Sequence, residues 1–311
     1  MKIDLTQLRK RKEFINERVN ASGNFIIWNY NARCQWEKEW NEYTSIARGL
    51  ITDTEGNIIA RPFPKFFNLN EMEETRLENL PVEIPLISEK LDGSLGIQYI
   101  EDGKIKIATR GSFESEQAIW ATKWIQDTHS IEEFREDWTY LYEIIYPENK
   151  IVVDYKNRRE LVLLAVINTD TGEEEDYRNI DVKLRMNWAN HYNISSIDQI
   201  IKLLPDLNNN EEGFVAYYSN GLRVKFKSEE YCRLYKLLTR FSTISIWENL
   251  KAGTDFTEIL DRVPQEFAEW VKNEKQALQE KYNVIYHQPE MIWKKIRPKF
   301  ALFFKSEELD E

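Results

Sequence analysis

SEKLDGSLG, at residues 88–96, is the stretch on which the interpretation of this chain depends. It places Lys90 two residues ahead of the pair Asp92-Gly93, between an apolar segment and a predicted strand. Asp and Gly are both common in β-turns, so an ordinary turn is the simplest interpretation of these residues alone. The alternative is a loop that presents the lysine for chemistry, and the rest of the chain has to decide between the two.

The surrounding chain, from about residue 22 to 227, carries the signals of antiparallel sheet. Short apolar runs alternate with Gly-containing turns, which is the usual mark of β-hairpins. The turns are Asp53–Gly56, Glu101–Gly103 and Ser219–Gly221. The runs 141–146 and 160–167 are apolar on both faces, which predicts two central strands. Helices are predicted at 115–128 and 196–204.

Beyond about residue 228 the periodicity becomes helical, as in 229–241 and 264–282. We therefore predict an α+β protein, with an antiparallel-sheet domain over 1–240 and a small all-helical domain over 241–311. A chain of 311 residues exceeds one comfortable hydrophobic core, which agrees with two domains.

The composition excludes several classes of protein. Asp and Glu number 53 against 42 Lys and Arg, and a formal net charge of -11 argues against a protein that coats DNA nonspecifically. Two cysteines, Cys34 and Cys232, form no disulfide framework and fit a reducing compartment. No apolar run reaches about 18 residues and no N-terminal apolar segment resembles a signal peptide, so we expect a cytoplasmic protein that spans no membrane.

A row of cations lies on the predicted strand 222–227. With the strand period of two, Arg223, Lys225 and Lys227 share one face, and the apolar residues between them face the core. Like charges spaced by roughly 7 Å repel each other unless water screens them or an anion lies between them. A solvated sheet face and an anion-binding face are both compatible with this pattern.

Two acids interrupt otherwise apolar strands. Glu143 lies within 141–146, and Glu212 opens the run 212–217. An ionised carboxylate in such a strand is costly unless it is paired or binds a metal. A salt bridge to one of the lysines and a Mg²⁺ site completed by substrate phosphates are the two interpretations.

The order of these features is more specific than any one of them. Five features occur in the order of the nucleotidyltransferase motifs of ATP-dependent ligases and capping enzymes: Lys90–Gly93, Thr109–Gly111, Glu143, Glu212-Gly213 and Lys225–Lys227. Two upstream segments, Ala47–Leu50 and Pro64–Glu71, make the resemblance more specific. With them, roughly residues 25–231 resemble the phage T4 RNA ligase 1 family. The resemblance implies an antiparallel-sheet nucleotidyltransferase fold of the ATP-grasp-like ligase type for the first domain.

The resemblance also implies a catalytic role for three lysines. Lys90 would attack the α-phosphorus of ATP and become a lysyl-adenylate, with Asp92 and Gly93 shaping its loop. Lys225 and Lys227 would hold the α-phosphate and help to expel pyrophosphate. A nucleophilic lysine must first lose its proton, and neighbouring cations favour that loss.

The remaining implied contacts concern the nucleotide and the metal. Arg48 and Lys65 would contact phosphates, and Arg110 would contact the ribose or the leaving phosphates. Glu89 would contact the adenine, and the ring of Phe66 or Phe67 (we assign Phe67) would lie near the nucleotide. Glu143 would contact the ribose or a metal, Glu212 would be a metal ligand, and Tyr231 would be an aromatic residue near the site. The implied metal is Mg²⁺ or Mn²⁺.

We therefore expect an ATP-dependent RNA ligase that joins an RNA 5′-phosphate to a 3′-hydroxyl through a lysyl-adenylate and an adenylylated RNA. Its partners would be ATP and broken RNA, such as a nicked tRNA in repair, and we expect a monomer in the cytoplasm, or in the host cytoplasm if a virus encodes it. Two alternatives stay open: an enzyme that passes AMP to a non-RNA acceptor, and a non-catalytic RNA-binding module. The complete set of charged motif residues favours an enzyme over the module.

The sequence after residue 240 bears on the substrate. DNA ligases and capping enzymes of the same superfamily usually continue into a β-barrel domain, whereas this chain continues into predicted helices. Within them the stretch 293–300, WKKIRPKF, combines cations and aromatic rings. It would contact RNA or, as an amphipathic helix, pack against the body of the protein.

Overall fold

The structure is a computed structural model of the chain, in which residues 1–180, 184–208, 210–240, 243–253, 273–283 and 286–287 are described. The chain divides into two compact units, Met1–Cys232 and Arg233–Glu311. The sequence predicted a boundary after residue 240, and the helix Glu229–Arg240 spans the observed division.

The first unit contains the strands. They are β1 (Ile15–Val19), β2 (Phe25–Tyr30), β3 (Arg48–Asp53), β4 (Ile58–Ala60), β5 (Phe67–Asn68), β6 (Leu86–Glu89), β7 (Ser94–Glu101), β8 (Lys104–Thr109), β9 (Trp138–Ile145), β10 (Glu160–Asn168), β11 (His191–Tyr192), β12 (Gly213–Tyr217) and β13 (Arg223–Lys227). They form a first sheet of order β1-β2-β3-β4, a second of order β10-β9-β7-β8, and a third of order β11-β6-β12-β13-β5. All pairings are antiparallel except that of β13 with β5.

The helices are mostly short. They are α1 (Leu5–Arg9), α2 (Ala32–Glu37), α3 (Glu42–Ile46), α4 (Glu116–Thr128), α5 (Ile197–Leu203), α6 (Glu229–Arg240) and α7 (Thr243–Ala252). The predicted helices 115–128 and 196–204 are confirmed as α4 and α5, and a serine hydroxyl caps each by accepting a backbone N–H: Ser115 from Ala118 and Ser196 from Gln199.

The predicted hairpin turns are also confirmed. β3 and β4, β7 and β8, and β12 and β13 are each joined across the turn that the sequence indicated. Asp102 and Gly103 both have positive φ, 52° and 70°, as the tight turn between β7 and β8 requires.

One strand prediction was wrong in its position. The run 141–146 lies in β9, a central strand as predicted, but 160–167 lies in β10, at the edge of the second sheet. β10 is nevertheless apolar on both faces because neighbouring chain covers its free edge. The Leu163 backbone N–H donates to the carbonyl oxygen of Asn187, and its carbonyl oxygen accepts from Ala189. Burial on both faces therefore did not require a central position.

The core is built around the second sheet. One apolar cluster joins it to the first sheet through side chains such as Ile27, Ile51 and Ile97. Another packs its other side against α4 through Ala121 and Ile125. The third sheet has its own cluster with α5. All three sheets contribute residues to the main cavity of the first unit.

The described part of the second unit is helical. It comprises the end of α6, α7, and a helix over 273–283, which confirms part of the predicted helix 264–282. The rest of that prediction and the stretch 293–300 lie outside the described residues. No helix of the described chain combines the length and apolar character that a membrane span needs.

Candidate active site

Lys90 lies where the third sheet meets the main cavity. Its backbone N–H donates to the carbonyl oxygen of Gly213 at 2.9 Å, directly after β6 ends. The antiparallel pairing of β6 with β12 brings the Lys90 Nζ within 2.6 Å of the Glu212 Oε2. The Lys90 side chain lines a cavity of about 760 Å³. The fold thus places the predicted nucleophile beside a predicted acid that is distant in sequence.

Glu212 holds two lysines at once. Its other oxygen, Oε1, lies 2.8 Å from the Lys227 Nζ, and only 2% of the Glu212 side chain is exposed. Removing one partner of such a buried pair is strongly destabilising, because it leaves a charge uncompensated. Of the two interpretations of Glu212, the structure contains the salt bridge, with Lys90 and Lys227 together. The assignment of Glu212 as a metal ligand stays a prediction.

Asp92 fixes the loop that carries Lys90. Its Oδ2 accepts the backbone N–H groups of Val152 and Val153 at 2.7 and 2.8 Å, and its Oδ1 accepts the Tyr231 hydroxyl at 2.8 Å. Burial, followed by the charge of Glu212, raises the pKa of Asp92, and the three donors oppose the rise. Asp92 therefore ties the lysine loop to two distant segments, and it also places Tyr231 next to the site.

Two glycines allow the chain to close around Lys90. A β-carbon on Gly93 would lie 2.7 Å from the carbonyl oxygen of Ile144. Gly213 has φ 144°, and a β-carbon there would overlap the carbonyl oxygen of Phe226. No larger residue fits either position without backbone movement. Steric crowding thus explains why glycine occupies these two motif positions.

Glu143 lies on β9, where its side chain packs against Gly93. Burial raises the pKa of Glu143 to about 8, with the Lys90 charge opposing the shift and the carboxylates of Glu212 and Asp92 adding to it. At pH 7 this carboxyl is therefore mostly protonated unless a further cation lies beside it.

The carboxylates fit a divalent cation that its substrate helps to hold. Within the described ranges, no three His, Cys, Asp or Glu side chains are grouped so as to hold a metal ion by themselves. Mg²⁺ commonly binds one or two carboxylates together with substrate phosphates and water. Glu143 lines the cavity and has no ion pair with any residue that the structure describes, so it has the donor chemistry for this role. Glu212 is less suited, because both of its oxygens already contact ammonium groups.

The predicted row of cations on β13 is confirmed. Arg223, Lys225 and Lys227 are partly buried, and they alternate with Val224 and Phe226, which are 0% and 1% exposed. Arg223 forms an ion pair with Glu174, and its guanidinium carbon lies 4.1 Å from the ring centre of Phe63 and 4.0 Å from that of Tyr217. The row is therefore not a solvated face.

Lys225 lines the cavity in an environment that disfavours its charge. Its Nζ donates to the carbonyl oxygen of Phe66 at 3.0 Å and lies 4.3 Å from the centre of that ring. Burial, and then the charges of Arg48 and Lys90, lowers the pKa of Lys225 to about 6. An anion bound in the cavity would raise the pKa of Lys225 again, because it would stabilise the charged form of the lysine.

Two arginines complete the basic lining. The Arg110 Nη1 donates to the Tyr30 hydroxyl at 2.9 Å, with the guanidinium 5.0 Å from the ring centre. Arg48 lies 5.4 Å from the ring centre of Phe66, and burial with the charge of Arg110 lowers its pKa. Arg48, predicted to contact phosphates, and Arg110, predicted to contact the ribose or the leaving phosphates, thus lie in the same cavity as Lys90.

Lys65 and Phe67 lie elsewhere. The Lys65 Nζ is 5.5 Å from the ring centre of Tyr30 and 5.0 Å from those of Trp40 and Phe67, and it lines a second cavity of about 390 Å³. Of the two phenylalanines, only one lines the main cavity. That residue is Phe66, and our choice of Phe67 is not supported by this placement.

Sequence reasoning missed several rings of the cavity, and two of them lie beside Glu89. Glu89 lines it as predicted, and its Oε1 accepts the backbone N–H of Asn190 at 2.8 Å. Beside it His191 stacks on Tyr177, with 3.7 Å between ring centres and 10° between ring planes. Neither ring belongs to a motif. The pairing of β11 with β6 brings His191 to Glu89, and Tyr177 stacks on His191.

Comparison with known proteins gives a consistent result. A family model described as RNA ligase matches residues 46–231. A protein of Thermovibrio ammonificans, provisionally named an RNA ligase, is 27% identical over 212 residues, which cover 63% of this chain and 54% of the relative. The RNA ligase of Rhodothermus phage RM378 is 24% identical over 258 residues, which cover 70% of this chain and 56% of the relative. The chain spans about half the length of these curated relatives.

A solved structure supports the fold. An archaeal ATP-dependent RNA ligase matches with a TM-score of 0.55 and 14% identity, covering 91% of this chain and 79% of that one. At this identity the likeness shows the fold alone. The predicted ligase-type fold with antiparallel sheets is confirmed to that extent, and the all-helical character of the whole C-terminal region stays a prediction.

Proposed function

The chain belongs to the T4 RNA ligase 1 family, and from this membership we propose that it is an ATP-dependent RNA ligase. It joins an RNA 5′-phosphate to an RNA 3′-hydroxyl, and Lys90 is the nucleophile. The observation that carries the proposal is the ion-paired cluster of Lys90, Glu212 and Lys227 at a cavity whose lining also includes Lys225 and Arg48.

The first step is adenylylation of the lysine. The Lys90 amine attacks the α-phosphorus of ATP, a P–N bond forms, and the bond to the pyrophosphate oxygen breaks. The Glu212 Oε2, at 2.6 Å, is placed to accept the proton that Lys90 loses. Lys225 and Arg48, which line the same cavity, would offset the charge that develops on the phosphates.

The two later steps move AMP to RNA and then release it. An oxygen of the RNA 5′-phosphate attacks the adenylate phosphorus, the P–N bond breaks, and Lys90 recovers its amine. The RNA 3′-hydroxyl then attacks the RNA 5′-phosphorus, a phosphodiester forms, and AMP leaves. Both RNA ends must be held together, because this positioning removes much of the entropic barrier.

Glu143 is the residue best suited to hold a divalent cation, Mg²⁺ or Mn²⁺, with Glu212 beside it. The ion would supply positive charge against the ATP phosphates. Displacement of a proton from Glu143 would accompany its binding, because burial holds the pKa of this carboxyl at about 8.

We extend the proposal to the partners. The substrate is broken RNA with a 5′-phosphate and a 3′-hydroxyl, such as a nicked tRNA, and the protein acts as a monomer in the cytoplasm. The nucleotidyltransferase function is assigned to 1–240, and an RNA-holding role to the helical region 241–311. The family membership and the cationic cavity support RNA as the acceptor of AMP.

Incubation with α-labelled ATP and Mg²⁺, followed by denaturing electrophoresis, tests the first step. We expect a covalent label on the native protein and on Lys106→Ala, and none on Lys90→Ala. Lys106 is the matched control, because its Nζ also pairs with a buried carboxylate, that of Glu101 at 2.5 Å. No label on a native protein whose intact mass shows no bound AMP would contradict the proposal.

A second assay identifies the acceptor. The labelled protein is mixed with 5′-phosphorylated RNA without free ATP, and adenylylated RNA is the expected product. Transfer of the label to a protein or small molecule, with none to RNA, would identify an AMP transferase of another kind. Binding of RNA by a protein that never takes the label would identify a non-catalytic module.

A further inference from the structure

An exposed groove along the edge strand β1 continues the main cavity. This edge groove, of about 610 Å³, is lined by Arg9, Lys12, Asn16, Arg18, Asn29 and Gly111, among others. Asn29 and Gly111 also line the main cavity. The two concavities therefore meet at these residues.

The strand register links the groove to the active site directly. Asn16 on β1 is opposite Asn29 on β2, and Asn29 is opposite Arg48 on β3. Residues opposite each other on antiparallel strands are neighbours on one face of a sheet. This row of side chains thus leads from the exposed edge to Arg48, which lines the main cavity.

The groove is positive although the protein is acidic. Arg9 is neutralised by Glu17, at 2.7 Å. Lys12 and Arg18 are exposed, and neither side chain forms an ion pair or hydrogen bond with any residue that the structure describes. In a chain of net charge -11, two unopposed cations beside the main cavity make a local attraction for anions.

Further groups of the groove suit a sugar-phosphate backbone. β1 pairs only with β2 in the described sheets, so one row of its backbone N–H and C=O groups faces outward. Backbone N–H groups and cationic side chains are common phosphate contacts. At the junction, the buried Oδ1 of Asn29 has no hydrogen-bond partner among the described residues, so it is available to accept a ribose hydroxyl.

We propose that the edge groove binds the sugar-phosphate backbone of the RNA strand whose end enters the main cavity. The inference deepens the proposed function and rests on it for the identity of the strand. Lys12 and Arg18 would contact phosphates without regard to sequence, and the row from Asn16 to Arg48 would lead the RNA end toward Lys90.

The test measures RNA binding apart from catalysis. Fluorescence anisotropy with a labelled, 5′-phosphorylated single-stranded RNA, without ATP, gives the Kd of the full chain at several salt concentrations. The double variant Lys12→Gln/Arg18→Gln is compared with Lys123→Gln/Lys202→Gln, which removes two exposed cations elsewhere. Adenylylation with ATP in the absence of RNA is measured on each protein as a check that the main cavity is intact.

We expect the groove variant to weaken RNA binding on the order of tenfold at low salt, and to lower the slope of log Kd against log salt by about 1.4, since each phosphate contact contributes about 0.7 for single strands. The control variant should bind RNA as the native protein does, and all three should take the label equally. Equal losses in both variants, or no measurable RNA binding by the native protein, would overturn the inference. Failure of the proposed function is a different result, namely a native protein that takes no label.

Discussion

Replacement of Lys225 by methionine tests whether burial of the Lys225 charge in the cavity lowers the stability of the folded protein. The Lys225 Nζ lies against the Phe66 ring, and burial together with neighbouring cations lowers its pKa to about 6. Methionine keeps most of the side-chain volume, suits contact with an aromatic ring, and carries no charge. Near neutral pH, we expect Lys225→Met to have a higher free energy of unfolding than the native protein, although it loses adenylylation.

The magnitude follows from proton binding. An unfolded chain carries Lys225 with an ordinary lysine pKa of about 10.4, so between pH 7 and pH 9 it binds one proton more than the folded protein. The free energy of unfolding of the native protein then rises by about 1.4 kcal/mol per pH unit, or about 2.7 kcal/mol over this range. Because the side chain is partly exposed, we take roughly half to all of that value. The penalty of burying Lys225 is thus largest below pH 6 and vanishes above pH 10.

Urea unfolding at pH 7 and pH 9 measures this difference. The advantage of Lys225→Met over the native protein should shrink by about 1.4 to 2.7 kcal/mol between the two pH values. Lys202→Met, which replaces an exposed lysine, should show the same difference from the native protein at both. An advantage of Lys225→Met that stays constant with pH, or grows toward pH 9, would refute the reasoning.

Two further predictions concern the loop that carries Lys90. Gly93→Ala places a β-carbon 2.7 Å from the carbonyl oxygen of Ile144, so the loop must shift, and we expect the rate of labelling by α-labelled ATP to fall on the order of 100-fold; labelling at the native rate would show that the loop tolerates the shift. Tyr231→Phe removes a buried donor to Asp92, and urea unfolding should show a loss of about 1.5 to 3 kcal/mol, against almost none for Tyr192→Phe at a more exposed ring. Equal values for the two tyrosine variants would mean that the Asp92 bond contributes nothing to the stability of the fold.

The local parts of the fold could be predicted because neighbouring residues determine them. Ser115 caps α4, and the pair Asp102-Gly103 adopts the positive φ angles of its hairpin. The position of β10 in its sheet depends instead on which segment covers the free edge. That segment, around Asn187 and Ala189, carries no periodic pattern. A strand buried on both faces by a covering loop has the same apolar pattern as a central strand.

The candidate site, like the fold, could be predicted from the sequence only in part. The motif order predicted that Lys90, Glu212 and Lys227 would meet, and the structure brings them together. The choice between Phe66 and Phe67 could not be made from sequence, because Phe66 precedes the two-residue strand β5 and no alternating pattern covers both residues. The stacked pair of Tyr177 and His191 joins a short helical turn to a strand that the pairing with β6 positions, so no sequence spacing indicated it.

The opposite pKa shifts of Lys225 and Glu143 explain how one cavity holds so many ionisable groups. At pH 7 Lys225, with a pKa of about 6, has mostly released its proton, while Glu143, with a pKa of about 8, has mostly kept one. Each group thereby avoids the cost of a buried charge that lacks a partner. Phosphates would favour the charged lysine, and a divalent cation would favour the ionised glutamate, so that a nucleotide and its metal together restore both charges with little net change in bound protons. Glu212, whose two oxygens contact Lys90 and Lys227, keeps Lys90 oriented before the nucleotide arrives.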